Sequence, residues 1–202
     1  MMISLLVAFA PMPGAAAEFH VATTGDDHDT GGTLDPWQTI QHAASTATAG
    51  DTVIIHGGTY TEAVVFANSG TAEQPIIFRA ATGETVIVDG TGITLPGWGG
   101  LLTISERQHI VIDGLQVRHA GPNDENAGIL VDESTHITIR NCSTYNTRSS
   151  GIGVWDSADI SILDNRIELA CNDGSQECLT VAGTDGFRGD PFEIWGTAPI
   201  TG

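Results

Sequence analysis

Three short segments of the chain share one pattern: His109-Ile110-Val111-Ile112-Asp113-Gly114, His136-Ile137-Thr138-Ile139-Arg140-Asn141 and Asp159-Ile160-Ser161-Ile162-Leu163-Asp164. Each places apolar residues two apart and ends in turn formers, the pattern of a strand with one buried face. A second set runs in phase with it, at residues 128–131, 151–154 and 178–181. The first set is spaced by 27 and then 23 residues, the second by 23 and then 27. A self-similar period in the twenties, carried by strands with no helix between them, restricts the chain to a solenoid of stacked parallel strands. Leucine-rich repeats have similar periods, but their Leu-x-x-Leu-x-Leu spacing is absent here.

Each period carries about three strands, for example at 128–131, 136–140 and 142–146, with turns of Gly, Asn, Asp and Ser between them. Alternation points Ile129 and Val131 inward and Leu130 outward, and treats Ile137 and Ile139 as inward on the next strand. Neighbouring coils then stack Ile129 under Ile152 under Leu179 at roughly 4.8 Å. An antiparallel β-sandwich also has short strands and frequent turns, but it has no need of in-phase repeats. The reading is therefore an all-β parallel β-helix. Further strands are expected at 19–22, 52–56, 63–66, 75–80, 85–88, 101–104 and 109–113. Asp35-Pro36 has the form of a helix start, with Trp37, Ile40, Ala43, Ala44 and Ala47 on one face and Gly50 as the stop. That helix is placed to cap the first coil, whose core and strand edges are otherwise exposed. Residues 93–100, with Pro96, Gly97, Trp98, Gly99 and Gly100, interrupt the rhythm and read as a loop.

The organisation expected is a leader at 1–17, an amino-terminal strand, loop and capping helix at 18–50, β-helix coils at 51–183 and an irregular tail at 184–202. In the leader, residues 3–10 are apolar and Ala15-Ala16-Ala17 is a small-residue cleavage pattern, although no basic residue precedes the apolar run. This points to a secreted protein, extracellular or periplasmic. Past Gly183 the alternation fails, so a truncated chain or a non-native continuation is expected there. At 202 residues a single domain is expected, and 25 glycines suit many tight turns around a narrow core. The net charge is −18, and all seven basic residues are arginine. Such a surface repels nucleic acid and anionic membranes, which excludes both as partners. Cys171 and Cys178 flank a turn-rich loop that a disulfide would close. Cys142 aligns with the inward Leu115 and reads as a buried thiol.

Several stretches together resemble secreted right-handed parallel β-helix proteins. They are Phe19-His20-Val21, Gly25-Asp26, Gly32-Thr33, Pro36-Trp37-Gln38-Thr39-Ile40, Ala43, Gly50-Asp51-Thr52-Val53 and Gly57-Gly58-Thr59-Tyr60-Thr61-Glu62. Ser69-Gly70-Thr71-Ala72-Glu73-Gln74-Pro75-Ile76 and Ile87-Val88-Asp89-Gly90 continue the match. The group includes polysaccharide lyases of pectate lyase family 9, alginate-lyase-like proteins and right-handed β-helix domains of unassigned activity, and the resemblance spans roughly residues 19–182. It implies a right-handed β-helix with its amino-terminal cap, and an acidic polysaccharide cleaved by β-elimination.

That reaction removes a proton beside a carboxylate, which calls for a cation, commonly Ca²⁺, and a base. The resemblance supplies Lys or Arg as base, and this chain has no Lys. Arg118, Arg140, Arg148 and Arg166 are candidates in principle, and ordinary surface charges otherwise. Loops 123–126 and 172–177 both precede a strand of the second set. Their carboxylates, Asp124, Glu125, Asp173 and Glu177, are the candidate Ca²⁺ ligands; good turn residues are the plainer account. Trp155, just past the inward Val154, is the candidate sugar-stacking residue. His109 and His136 hold equivalent repeat positions, which points to a structural stack. The function expected is the amino-terminal part of a secreted polysaccharide lyase, monomeric, with the 202-residue chain alone inactive. Small outward residues such as Gly153 and Thr180 suit the alternative, a non-catalytic β-helix for glycan binding or surface adhesion.

Overall fold

The structure, a computed structural model, describes residues 15–170 and the backbone of residues 193–195. Along the chain the strands are β1 (Glu18–Val21), β2 (Thr52–Ile55), β3 (Gly58–Tyr60), β4 (Val64–Val65), β5 (Ile76–Ala80), β6 (Val86–Asp89), β7 (Gly99–Ser105) and β8 (Gln108–Asp113). They continue as β9 (Leu115–Arg118), β10 (Asn126–Asp132), β11 (Thr135–Arg140), β12 (Ser143–Tyr145), β13 (Ile152–Trp155), β14 (Ser161–Leu163), β15 (Arg166–Glu168) and β16 (Glu193–Trp195). Successive strands are dealt in rotation to three sheets, ordered β1-β2-β5-β8-β11-β14, β3-β6-β9-β12-β15 and β4-β7-β10-β13-β16. Neighbours within each sheet are parallel. Each circuit of the chain thus adds one strand to every sheet, which is a parallel β-helix.

The inward residues form columns along the axis. In the first sheet Val53, Phe78, Ile112, Ile139 and Ile162 are successive register partners. In the third, Val64, Leu102, Ile129 and Ile152 are aligned, with Ile104, Val131 and Val154 beside them. Ile129 does stack on Ile152 as the repeat predicts, and both are fully buried. The next residue expected in that column, Leu179, lies outside the described residues. The strand that pairs with β13 on its far side is β16, Val154 meeting Ile194 in register. The tail read as irregular therefore contains a strand in register with the repeats.

The turns repeat as regularly as the strands. Left-handed backbone recurs at Glu106, Glu133 and Asp156; at His109, His136 and Asp159; at Gly114, Asn141 and Asp164; and at His119, Asn146 and Leu169. Every set has the 27-then-23 spacing of the sequence repeat. Asn, Asp and Gly tolerate this conformation with least strain. At the second position His109 and His136 stack with ring centroids 4.5 Å apart, as their equivalent places imply.

The helix differs from its sequence reading. It runs over Ile40–Thr46 (α1), with Thr39 as N-cap accepting from the His42 N–H. Asp35 does not cap it; its carboxylate accepts from Thr30 Oγ1. Trp37 lies outside the helix, bridged to Val21 of β1. The start is set instead by two carboxylates distant in sequence. Asp27 accepts from the N–H groups of Gln38 and Thr39, and Glu62 from those of Ile40 and Gln41. Ile40, Ala43 and Ala44 then bury their face in the same core as the β columns. Ala17, placed by its sequence in the leader, donates its N–H to Asp51.

Cys142 is buried as expected, and burial pushes its thiol up to about 11. In the second sheet the inward column runs Tyr60, Val88, Val117, Thr144 and Ile167. Thr144 is 1% exposed, and its Oγ1 has no hydrogen-bond partner among the described residues. A buried hydroxyl without a partner costs about 1–3 kcal/mol, and Val has the same shape. Thr144→Val is expected to stabilise the protein by about 1 kcal/mol in urea denaturation; unchanged or lower stability would contradict this account of the column.

Candidate functional site

The outward column of the third sheet runs Thr103, Leu130, Gly153. The side chain shrinks to nothing at Gly153, and a cleft of about 270 Å³ opens there. It is lined by Ala127, Leu130, Gly153 and the buried Ser150, with exposed Asp124 and Glu125 and half-buried Ser149 toward its mouth. Two indoles form the walls: Trp98 and Trp155, edge to face with centroids 5.0 Å apart and an interplanar angle of 79°. Trp98 is 50% exposed. Leu130, although outward from the coil, is only 7% exposed.

Trp98 is held in place by long-range bonds to its loop. Asn126 is fully buried at the start of β10, and its Nδ2 donates to the carbonyls of Pro96 and Gly97. Asn123 Nδ2 donates to Leu95 O. Of the residues selected from the sequence, Asp124, Glu125 and Trp155 come together at this cleft. Asp173, Glu177, Cys171 and Cys178 lie outside the described residues, so neither that half of the ligand set nor the disulfide has a place here. Trp98 was missed. Its signal was a Trp in a Pro/Gly-rich break in the rhythm, which marks an exposed aromatic on a loop.

Asp124 forms an ion pair with Arg148. Among the described residues no group of three or more His, Cys, Asp or Glu side chains is arranged to hold a metal ion. The other three candidate arginines are paired as well. Arg118 with Asp89 and Arg140 with Asp113 are register partners on adjacent coils, and Arg166 pairs with Glu168. Each carries a carboxylate against it, the opposite of an arrangement that would turn a guanidinium into a base.

Arg148 also lines a second depression of about 470 Å³ with Thr91, His119 and Asn146. Beneath it sits Asp89, 7% exposed, which accepts from Thr91 N and Oγ1, Arg118 Nε and His119 Nδ1. Burial pushes this carboxyl upward, but the bonds from Thr91, His119 and Arg118 outweigh it and hold the group well below the usual range. A carboxylate stabilised in the folded state adds stability above its ordinary value of 3.8, lost as pH falls below it. Asp89→Asn is therefore expected to unfold at lower denaturant than the parent at pH 7, with the gap constant down to about 3.8 and closing only as pH falls further. A gap independent of pH would contradict the assignment.

Residues 19–188 match the family described as Pel9A-like, right-handed β-helix region. Pectate lyase PEL9 of Emericella nidulans is 47% identical over 85 residues, covering 41% of this chain and 20% of that protein. The Bacillus subtilis protein YwoF is 33% identical over 132 residues, covering 63% of this chain and 28% of that one. The chain thus spans under a third of the curated relatives it matches. The crystal structure of pectate lyase Pel9A superimposes with a TM-score of 0.56 at 18% identity, over 76% of this chain and 47% of that one. The GH136 lacto-N-biosidase of Eubacterium ramulus does so with a TM-score of 0.62 at 13% identity, over 78% and 37%. At such identities the two structures share the fold alone.

Proposed function

Because the chain belongs to the family of Pel9A-like right-handed β-helix regions, we propose that its coils serve a secreted polysaccharide lyase acting on an acidic, pectate- or alginate-like polysaccharide by β-elimination. The observation that carries the glycan-contact part of this reading is the cleft where Trp98 and Trp155 meet beside polar side chains. Aromatic walls with a few hydroxyls and carboxylates are a common way to hold a sugar ring. In this reading α1 and β1 close the first coil as its cap. No helix among the described residues is long and apolar enough to cross a membrane.

Asp124 and Glu125 on their own do not make a Ca²⁺ site, since Arg148 already engages Asp124. A bound Ca²⁺ would supply charge neutralisation for a uronate; Asp173 and Glu177, the other two carboxylates expected to hold it, lie outside the described residues. The alternative, a non-catalytic glycan-binding coil, draws on one specific observation: all four candidate arginines are committed to carboxylates. On that alternative the cleft contributes glycan contact and none of these four arginines acts as a base.

The test is gel retardation of the purified 202-residue protein in branched pectin and in alginate, with a parallel assay for the ultraviolet absorbance of unsaturated product. Retardation without product is the expected outcome. Product formation would overturn the non-catalytic alternative and the expectation that this chain alone is inactive, and free migration in both gels would overturn the substrate class.

A further inference from the structure

We propose that the Trp98–Trp155 cleft is a subsite for one neutral sugar ring, and that its rim disfavours a uronate at that position. This rests on the reading of the coils as glycan-contacting, and adds which unit of an acidic, branched polysaccharide they grip.

The shape comes first. Two indoles at 79° form a corner, so a pyranose stacks its C–H face on one ring and sets its edge against the other. The floor is apolar, and Gly153 keeps it open. A Cβ there would stand 2.7 Å from Ser150 Oγ and 3.6 Å from both Ala127 Cβ and Leu130 Cδ1. At about 270 Å³ the cleft lies at the lower end of small-ligand sites, which suits a single ring. The corner is built before any ligand arrives, because buried Asn126 fixes the backbone on which Trp98 stands. Preorganised walls spare a ligand the cost of ordering them.

The charge comes second. The rim carries two carboxylates, Asp124 and Glu125, and the nearby guanidinium of Arg148 is shared with Asp124. Glu125 remains as a negative group at the mouth, in a chain of net charge −18. Carboxylates and the serine hydroxyls at 149 and 150 suit the hydroxyls of a neutral ring. A uronate carboxylate brought within about 4 Å of Glu125 loses at least about fivefold in affinity to repulsion, even at the dielectric of water.

The experiment titrates the protein with galactobiose, xylobiose and digalacturonate, with and without Ca²⁺, and follows tryptophan fluorescence and heat. The proposal expects saturable quenching by a neutral disaccharide, at least about fivefold weaker binding of digalacturonate, and no rescue by Ca²⁺. Trp98→Ala should lose at least about tenfold in neutral-sugar affinity while keeping the parent melting temperature, since Trp98 is half exposed. Trp155→Phe provides a second, milder cut. Glu125→Gln should narrow the gap between neutral and acidic sugars, read as the ratio of their affinities. Digalacturonate binding as tightly as the neutral sugars, or only with Ca²⁺, would overturn the neutral subsite and leave the lyase reading standing. If no disaccharide binds while the protein is still retarded in pectin gels, the cleft assignment falls alone. If retardation is lost as well, both fall.

Discussion

Everything in this molecule depends on parallel strands pairing from coil to coil without slipping. With alternating side chains, a slip of one residue would turn a whole column of Ile, Leu and Val toward water. In register, Phe78 meets Ile112, Ile112 meets Ile139, and Leu102 meets Ile129. Each of these residues is at most 1% exposed. The inward columns of all three sheets meet in one core, so an error in one disturbs the others. The turns must therefore return the chain to the same rung on each circuit. On the three coils from Glu106 to Leu169, four left-handed positions with the same spacing within each coil do this, and even Leu169 adopts that backbone to keep the rung.

The site arises where this regularity is relaxed. Glycine replaces a side chain in the outward column at Gly153, and the segment before β7 leaves the coil and returns carrying Trp98. The turn before β10 faces it, with Asn126 directed inward to hold the loop and Asp124 and Glu125 left at the rim. Where the coils stay regular, charge is spent on holding rungs together, as in Asp89 with Arg118 and Asp113 with Arg140. Candidate site and scaffold thus use the same residue types differently, according to whether a strand partner lies opposite.

The columns, the inward Cys142 and the histidine stack could be read from the sequence because each rests on spacing alone. Trp155 with Asp124 and Glu125 could be singled out because each sits at a fixed offset from a repeat strand. Trp98 could not be joined to them, since the bonds that place it come from Asn123 and Asn126, about one coil away. The helix start was misread for the same reason. Local capping chemistry pointed to Asp35, whereas the amide groups are satisfied by Asp27 and Glu62, on loops that only the folded coil brings alongside.

The sequence by itself determined the solenoid, because a side-chain period of two repeated in phase leaves one way to bury every apolar face. It also determined the excess of negative charge and the lack of lysine. Only the tertiary structure decided that Trp98 and Trp155 form one corner, that Arg148 is committed to Asp124, and that β16 follows β13 in its sheet. Periodicity specifies which face a residue takes. It carries no information on how far a loop outside the repeat reaches back, and that reach is set by hydrogen bonds and packing between residues many positions apart.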